Sequence, residues 1–168
     1  AGTHAVSQAL ASDAERRFKL PIEIVPNGVD VSGLRWQGGN NTIMVLGGIG
    51  SRKDEPLALE AWSLVSSRRQ GFTLAIVGVE PKARRMKLRA LVRQLHLAGS
   101  VSVRGTLSRS RYLAQLAGCE LAVSCSRLES FGLPVAEALL MGTPMVASDI
   151  PAHAELTARS GGGVLFAP

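Results

Sequence analysis

Two carboxylates, Glu129 and Glu137, stand eight positions apart with the turn Phe131-Gly-Leu-Pro134 between them. A pair of this kind has two chemistries open to it. It can act as general acid and base, as in glycoside hydrolysis. It can also accept hydrogen bonds from sugar and ribose hydroxyls, which requires only ionised oxygens near hydroxyl donors. Glu137 falls one turn into a predicted helix, where the dipole stabilises the anion and works against a raised pKa. Hydroxyl binding is therefore the expectation; the plainer alternative is that Glu137 merely decorates a helix start. Pro134 in the first turn of that helix costs no hydrogen bond, and the amides of Phe131, Gly132 and Leu133 are expected to point, unpaired, at the same place.

A second constellation is Gly47-Gly-Ile-Gly-Ser-Arg-Lys-Asp54. Gly47, Gly48 and Gly50 allow a tight turn and a close approach to a ligand. Arg52 and Lys53 then add cationic donors just before a helix N-terminus, where free amides already favour anions. The run lacks the Gly-Lys-Ser/Thr ending of a Walker loop and does not meet Gly-x-Gly-x-x-Gly. It reads as a candidate phosphate loop, with a glycine-rich turn carrying solvated charges as the alternative. Other singletons carry less. His4, His96 and His153 have no zinc-site spacing and read as surface or packing residues. Glu155 could reach the same cleft or lie on the surface.

The elements that must position these groups alternate along the chain. Short apolar strands are predicted at Thr42–Leu46, Phe72–Val77, Val101–Val103, Cys119–Ser126, Pro144–Ala147 and Gly163–Phe166. Helices are predicted between them at Glu55–Arg68, Pro81–His96, Ser108–Ala117, Pro134–Met141 and from Pro151. This alternation is the pattern of a doubly wound parallel α/β sheet, Rossmann-like in layout. Glu129 would then hang from a loop at the carboxyl end of a strand, where open α/β sheets bind ligands. Before Thr42 come a strand end at Thr3–Ser7, a helix at Ser7–Lys19, a strand at Ile22–Val25 and a Pro-Asn-Gly turn at Pro26–Asp30. Val31–Asn41 reads as a linker or surface loop.

Composition narrows the class. The chain has 168 residues, 46% hydrophobic and 19% charged, which suits a globular domain with a real core. Aromatic residues make up 4%, too few for base-stacking platforms, and no nucleic-acid motif is present. The net charge of +6 fits a phosphorylated ligand or an anionic surface, and equally an ordinary basic protein. The basic run Lys82, Arg84, Arg85, Lys87, Arg89, Arg93 lacks a bulky apolar face and reads as a solvated helix face. Cys119 and Cys125, six positions apart in one strand, would be roughly 20 Å apart, too far for a disulfide. They read as small core residues in a reducing compartment, and the protein as cytoplasmic, with the inner face of a membrane as a further option.

Glu129 to Glu137, with Ser-Phe-Gly-Leu-Pro inside, resembles the E-x7-E signature of the family 4 retaining glycosyltransferases of GT-B architecture (glycosyl transferases group 1). Glu137-Ala-Leu-Leu-Met-Gly-Thr-Pro-Met-Val-Ala-Ser-Asp149 resembles that family's helix-strand segment. Pro26-Asn-Gly-Val-Asp30 resembles its interdomain hinge, and Leu74-Ala-Ile-Val-Gly78 its second donor-domain strand. The resemblance implies one half of a GT-B fold: residues 1–25 as the end of an acceptor domain, and 26–168 as the nucleotide-sugar-binding domain. It implies roles for single residues. Glu137 would take the ribose hydroxyls. Glu129 and the amides of Phe131, Gly132 and Leu133 would hold the donor sugar and its phosphate. Lys53 would pair with the diphosphate and neutralise charge on the leaving group. Arg104 and Gly105 would face the base through backbone groups. Many members have an arginine where Gly48 stands; Arg52-Lys-Asp54 resembles a subgroup with a small residue there, so Arg52 would assist. The implied donor is a GDP- or UDP-sugar, with neither cofactor nor metal. The implied acceptor is a glycan, lipid-linked or small hydroxyl compound held by the acceptor domain, with a peripheral membrane contact left open and no nucleic acid. The acceptor domain and a C-terminal crossover helix would lie outside the 168 residues, so that this piece binds donor without transferring sugar. A sugar-nucleotide epimerase and a non-catalytic nucleotide- or glycan-binding module are the alternatives.

Overall fold

Runs such as Thr42-Ile-Met-Val-Leu46 and Thr73-Leu-Ala-Ile-Val77 are apolar on both faces, which suits strands covered by helices on both sides. The computed structural model describes residues 3–167. In chain order its elements are β1 (His4–Ala5), α1 (Gln8–Phe18), β2 (Glu23–Ile24), β3 (Thr42–Leu46), α2 (Glu55–Val65), β4 (Thr73–Val77), α3 (Lys82–Gln94), β5 (Val101–Val103), α4 (Arg109–Gly118), β6 (Leu121–Ser124), α5 (Leu133–Met141), β7 (Met145–Ser148), α6 (Pro151–Ser160) and β8 (Val164–Phe166). Strands β3 to β8 form one parallel sheet in the order β5-β4-β3-β6-β7-β8. Numbered from β3, this is the doubly wound order 3-2-1-4-5-6, and the order reverses between β3 and β6. The register pairs Val45 with Val123, so the loops after Leu46 and Ser124 leave the sheet side by side.

The core lies on both faces of this sheet. On one face Leu59 and Trp62 of α2 and Leu88 and Val92 of α3 pack with Val45, Leu74, Ile76 and Val103. On the other, Leu113 and Leu116 of α4 and Val135, Ala138 and Met141 of α5 pack with Met44, Leu46, Ala75, Val77, Ala122 and Ala147. An apolar groove of about 350 Å³ stays open beside α2, lined by residues including Val45, Trp62, Val123, Val146 and Phe166.

Several expected boundaries shift. Helix α2 ends at Val65, and Ser66–Arg68 tightens into a 3-10 turn. Strand β6 is shorter than Cys119–Ser126, because both cysteines fall outside the ladder. Both are buried free thiols, and burial pushes them up to about 11 for Cys119 and about 12 for Cys125. The segment Val31–Asn41 is no loose linker. Val31 is buried in the core, and Trp36 donates its indole N–H to the Cys119 carbonyl at 2.9 Å and its amide to Met141 at 2.9 Å. Pattern reading misses it because the anchoring is by single side chains and backbone groups, not by a periodic face.

The first residues form a separate two-stranded parallel sheet, β1 with β2, and α1 packs against α6. The α1 N-terminus is held twice. Ser7 Oγ accepts the Leu10 amide at 3.2 Å, and the Glu155 carboxylate accepts the amides of Gln8 and Ala9 at 2.9 and 3.3 Å. Glu155 is therefore occupied as an anion on a helix N-terminus. The basic face of α3 is also less solvated than expected: Arg84 pairs with Glu55, Arg85 with Glu80, and Arg89 donates to the Val103 carbonyl at 2.9 Å.

Glu55, at the start of α2, is 0% exposed and depends on Arg84. Removing one partner of a buried pair leaves an uncompensated charge, which costs about 3–5 kcal/mol. Arg84→Ala is expected to lower the unfolding free energy by that amount in urea titrations. Arg16→Ala, which removes the solvent-exposed pair with Asp13, should cost under about 1 kcal/mol. Equal losses in the two variants would contradict this account.

Candidate functional site

The reversal point between β3 and β6 brings the two constellations together. Loop residues 47–54 leave β3, turn through a 3-10 segment at Ser51–Lys53, and enter α2. Loop residues 125–132 leave β6 and enter α5. The two loops are stapled: Arg127 donates its amide to the Arg52 carbonyl at 2.7 Å and its Nε to Asp54 at 2.7 Å.

Lys53 extends from the first loop to the second, with Nζ 2.7 Å from Glu129 Oε1, and both side chains are nearly buried. Its stem passes close to Gly48, where an added Cβ would lie 2.8 Å from Lys53 Cε, so that a larger residue there would make the lysine stem shift. Burial pushes the Glu129 carboxyl up, but the Lys53 hydrogen bond and charge, the Ser126 hydroxyl and the Arg52 charge outweigh it and hold the group below its ordinary value. Arg52 itself is exposed. The Gly47 amide is committed to the Val45 and Val77 carbonyls at 3.0 and 2.9 Å.

Beyond Glu129 the chain turns at Gly132, which has φ +87° and begins α5 by accepting the Val135 and Ala136 amides at 2.9 and 3.0 Å. The amides of Phe131, Gly132 and Leu133 make no hydrogen bond among the described residues. They form an unpaired donor cluster at the positive end of α5. Under Gly132 lies His153, 0% exposed; a Cβ at Gly132 would come within 3.3 Å of its ring. His153 Nδ1 is 2.9 Å from the Ser148 carbonyl and so carries the proton, which leaves Nε2 a buried acceptor without a partner.

Glu137 is also nearly buried and is paired with Arg109, the first residue of α4. Arg109 Nη2 donates to the Asp30 carbonyl at 2.6 Å, and its guanidinium lies 5.9 Å from the centre of the Tyr112 ring. The Tyr112 hydroxyl is buried without a hydrogen-bond partner; burial first, then the negative charge of Glu137, push it well above its ordinary value.

Arg104 and Gly105 are not brought to the glutamates in the same way. Their carbonyls accept the Val79 and Gly78 amides at 3.1 and 3.2 Å, and the Arg104 side chain borders cavities with Ser102. Glu80, held below its ordinary value chiefly by a hydrogen bond from Arg85, accepts the Thr106 amide at 3.3 Å at this corner. Arg109 and Tyr112 escape sequence reading, and His153 takes the packing position, one of the two expected for it. Arg109 did leave one signal, a cation in the first turn of a helix where the dipole disfavours it.

His153 makes the fold sensitive to acid. Burial lowers its pKa from 6.5, against opposing contributions from the Ser148 carbonyl and Glu129. Below 6.5 the unfolded chain therefore binds a proton that the folded chain resists, and stability falls with pH. Glu129 adds a second loss on the acid side of 4.5, because its carboxylate is favoured by folding. Urea unfolding is expected to give a declining free energy from pH 6.5 to 5, and His153→Leu to flatten that segment. A slope unchanged in His153→Leu would rule out this origin.

Comparison with known proteins shows the family and the fold. The family model described as glycosyl transferases group 1 matches residues 30–168. The chain is 28% identical over 147 residues to the GDP-mannose:cellobiosyl-diphosphopolyprenol alpha-mannosyltransferase of Xanthomonas campestris, covering 86% of this chain and 39% of that protein. It is 31% identical over 166 residues to the MMP alpha-(1->4)-mannosyltransferase of Mycolicibacterium hassiacum, covering 93% of this chain and again 39% of the relative. The chain thus spans about two fifths of the curated relatives it matches. Among solved structures, TarM superposes with TM-score 0.85 at 21% identity over 99% of this chain and 33% of TarM. HepE of Anabaena, solved in complex with UDP and glucose, superposes with TM-score 0.83 at 20% identity, covering 99% and 49%. With the family model covering most of its length, the chain belongs to the glycosyl transferases of group 1.

Proposed function

We propose that this chain is the donor-binding part of a retaining glycosyltransferase that moves a hexose from a nucleoside-diphosphate sugar to a hydroxyl acceptor. One observation carries the reading: two nearly buried carboxylates lie on either side, along the chain, of an unpaired amide cluster at the reversal point. Carboxylates accept hydroxyls and repel anions, whereas the amide cluster and Lys53 attract anions. A ligand with hydroxyls at both ends and phosphate between them matches that alternation, and a nucleotide sugar is such a ligand.

In this reading the ribose hydroxyls donate to Glu137, the phosphates sit on the amides of Phe131, Gly132 and Leu133, and the sugar hydroxyls donate to Glu129. Lys53 lies between Glu129 and the diphosphate. As the bond to the anomeric carbon breaks, negative charge grows on the leaving phosphate, and Lys53, with Arg52 above it, neutralises that charge. These cations let the reaction run without a metal. The base lies toward Gly105 and Thr106. The boundary between the two parts falls near Pro26, after the small sheet of β1 and β2, and the open groove beside α2 is where a crossover segment of a longer protein would pack. The acceptor, a glycan, lipid-linked or small hydroxyl compound, is bound by a domain preceding this one. The names of the mannosyltransferase relatives place GDP-mannose first among donors to test, with UDP-sugars second.

Glu137→Ala is expected to weaken GDP or UDP binding by about 1.5–3 kcal/mol in calorimetry, from the loss of charge-assisted hydrogen bonds. Unchanged affinity would remove Glu137 from the ribose role. Lys53→Ala should weaken diphosphate binding while leaving the bare nucleoside unaffected; equal losses on both would defeat the phosphate assignment. Sugar transfer by the full-length protein decides between an enzyme and a binding module.

A further inference from the structure

Arg109 is the cation whose position nothing local explains. It is the first residue of α4, a helix whose first turn holds no acidic residue, so its charge sits at the positive end of the dipole. About half of its side chain is exposed, yet its guanidinium is committed at three points: Glu137, the Asp30 carbonyl and the face of Tyr112. Glu137 is 6% exposed at the side chain, and a carboxylate that far from water needs a partner. The bond from Arg109 reaches Oε1 of that carboxylate, and among the described residues Oε2 accepts no hydrogen bond.

We infer that Arg109 is the positioning residue of the ribose site: it holds the Glu137 carboxylate turned so that Oε2 faces the incoming hydroxyls. Guanidinium suits this task because its fork reaches the Glu137 oxygen and the Asp30 carbonyl at once. The buried Tyr112 hydroxyl lies near the same carboxylate, and its ring lies under the guanidinium. The inference rests on the proposed ribose role of Glu137 and adds a residue from a different βα unit to it.

The test compares calorimetric affinities of the full chain for the tighter-binding of GDP and UDP and for the 2′,3′-dideoxy form of the same nucleotide. The unmodified chain is expected to favour the ribose form by at least about tenfold, the worth of one hydrogen bond to a charged group. Arg109→Ala should reduce that preference to about twofold or less while leaving affinity for the dideoxy nucleotide within about twofold. Arg109→Lys, which restores the charge without the fork, should recover an intermediate preference, and it carries the test if the alanine variant does not fold. Three outcomes overturn the inference: a tenfold preference surviving in Arg109→Ala, equal loss of both nucleotides, or tighter binding of the ribose form, which would make Arg109 a block on the site. Glu137→Gln separates the two levels. If it too keeps the tenfold preference, the ribose role itself falls; if it loses the preference while Arg109→Ala keeps it, only the role of Arg109 falls.

Discussion

Taking a carboxylate out of water costs several kcal/mol unless a cation accompanies it, and this structure does so twice within nine residues. Glu129 is answered by Lys53 from the loop after β3, and Glu137 by Arg109 from the start of α4. Neither cation is a sequence neighbour of its glutamate. Each pair therefore couples α5 to a different βα unit, and the loops around the reversal point cannot be arranged independently. Details that look incidental follow from this requirement. The Lys53 stem runs past Gly48, within 2.8 Å of where a Cβ would stand. Arg127 joins Arg52 and Asp54 because the loop carrying Lys53 must be held against the loop carrying Glu129.

The sheet order explains why such a place exists at all. Helices α2 and α4 pack on opposite faces of the sheet, and the ion pairs Lys53–Glu129 and Arg109–Glu137 bring their starts to the segment that opens α5. A helix start offers unpaired amides and positive potential, which suits phosphate. Glu129 and Glu137 change that simple preference. Free inorganic phosphate would gain the amides and Lys53 but meet two carboxylates. A nucleotide sugar sets its own hydroxyls against those carboxylates. On the proposed reading, selectivity for the whole donor over a bare anion arises from this mixture of charge signs.

Much of this was legible in the sequence, for identifiable reasons. The strands were readable because burial on both faces leaves near-continuous apolar runs, and the turn at Gly132 because proline and glycine constrain the backbone locally. Glu129, Glu137 and Lys53 could be singled out because residue type and offset from a predicted helix start carry the chemistry. What stayed hidden depends on contacts between distant positions. Val31 and Trp36 are anchored by the ends of α4 and α5, and no period in their own segment announces it. Glu155 could equally have entered the crevice; what decides is that α1 presents two amides to the carboxylate, at 2.9 and 3.3 Å. His153 is packed beneath Gly132 because the first turn of α6 lies against the second loop, a contact between positions 21 residues apart.

Arg109 shows how such long-range contacts bear on function. Its bond to the Asp30 carbonyl reaches the segment just after Pro26-Asn-Gly-Val29, where the small sheet gives way to the large one. Ser7, the cap of α1, donates to the Ser130 carbonyl at 2.6 Å, one residue from Glu129. The part of the chain before Pro26 thus touches the site at one glutamate, and the connecting segment touches it at the other. On the proposed reading, a donor that engaged both carboxylates would bear on these two bonds, because a ligand shifts a conformational balance only through differential interactions.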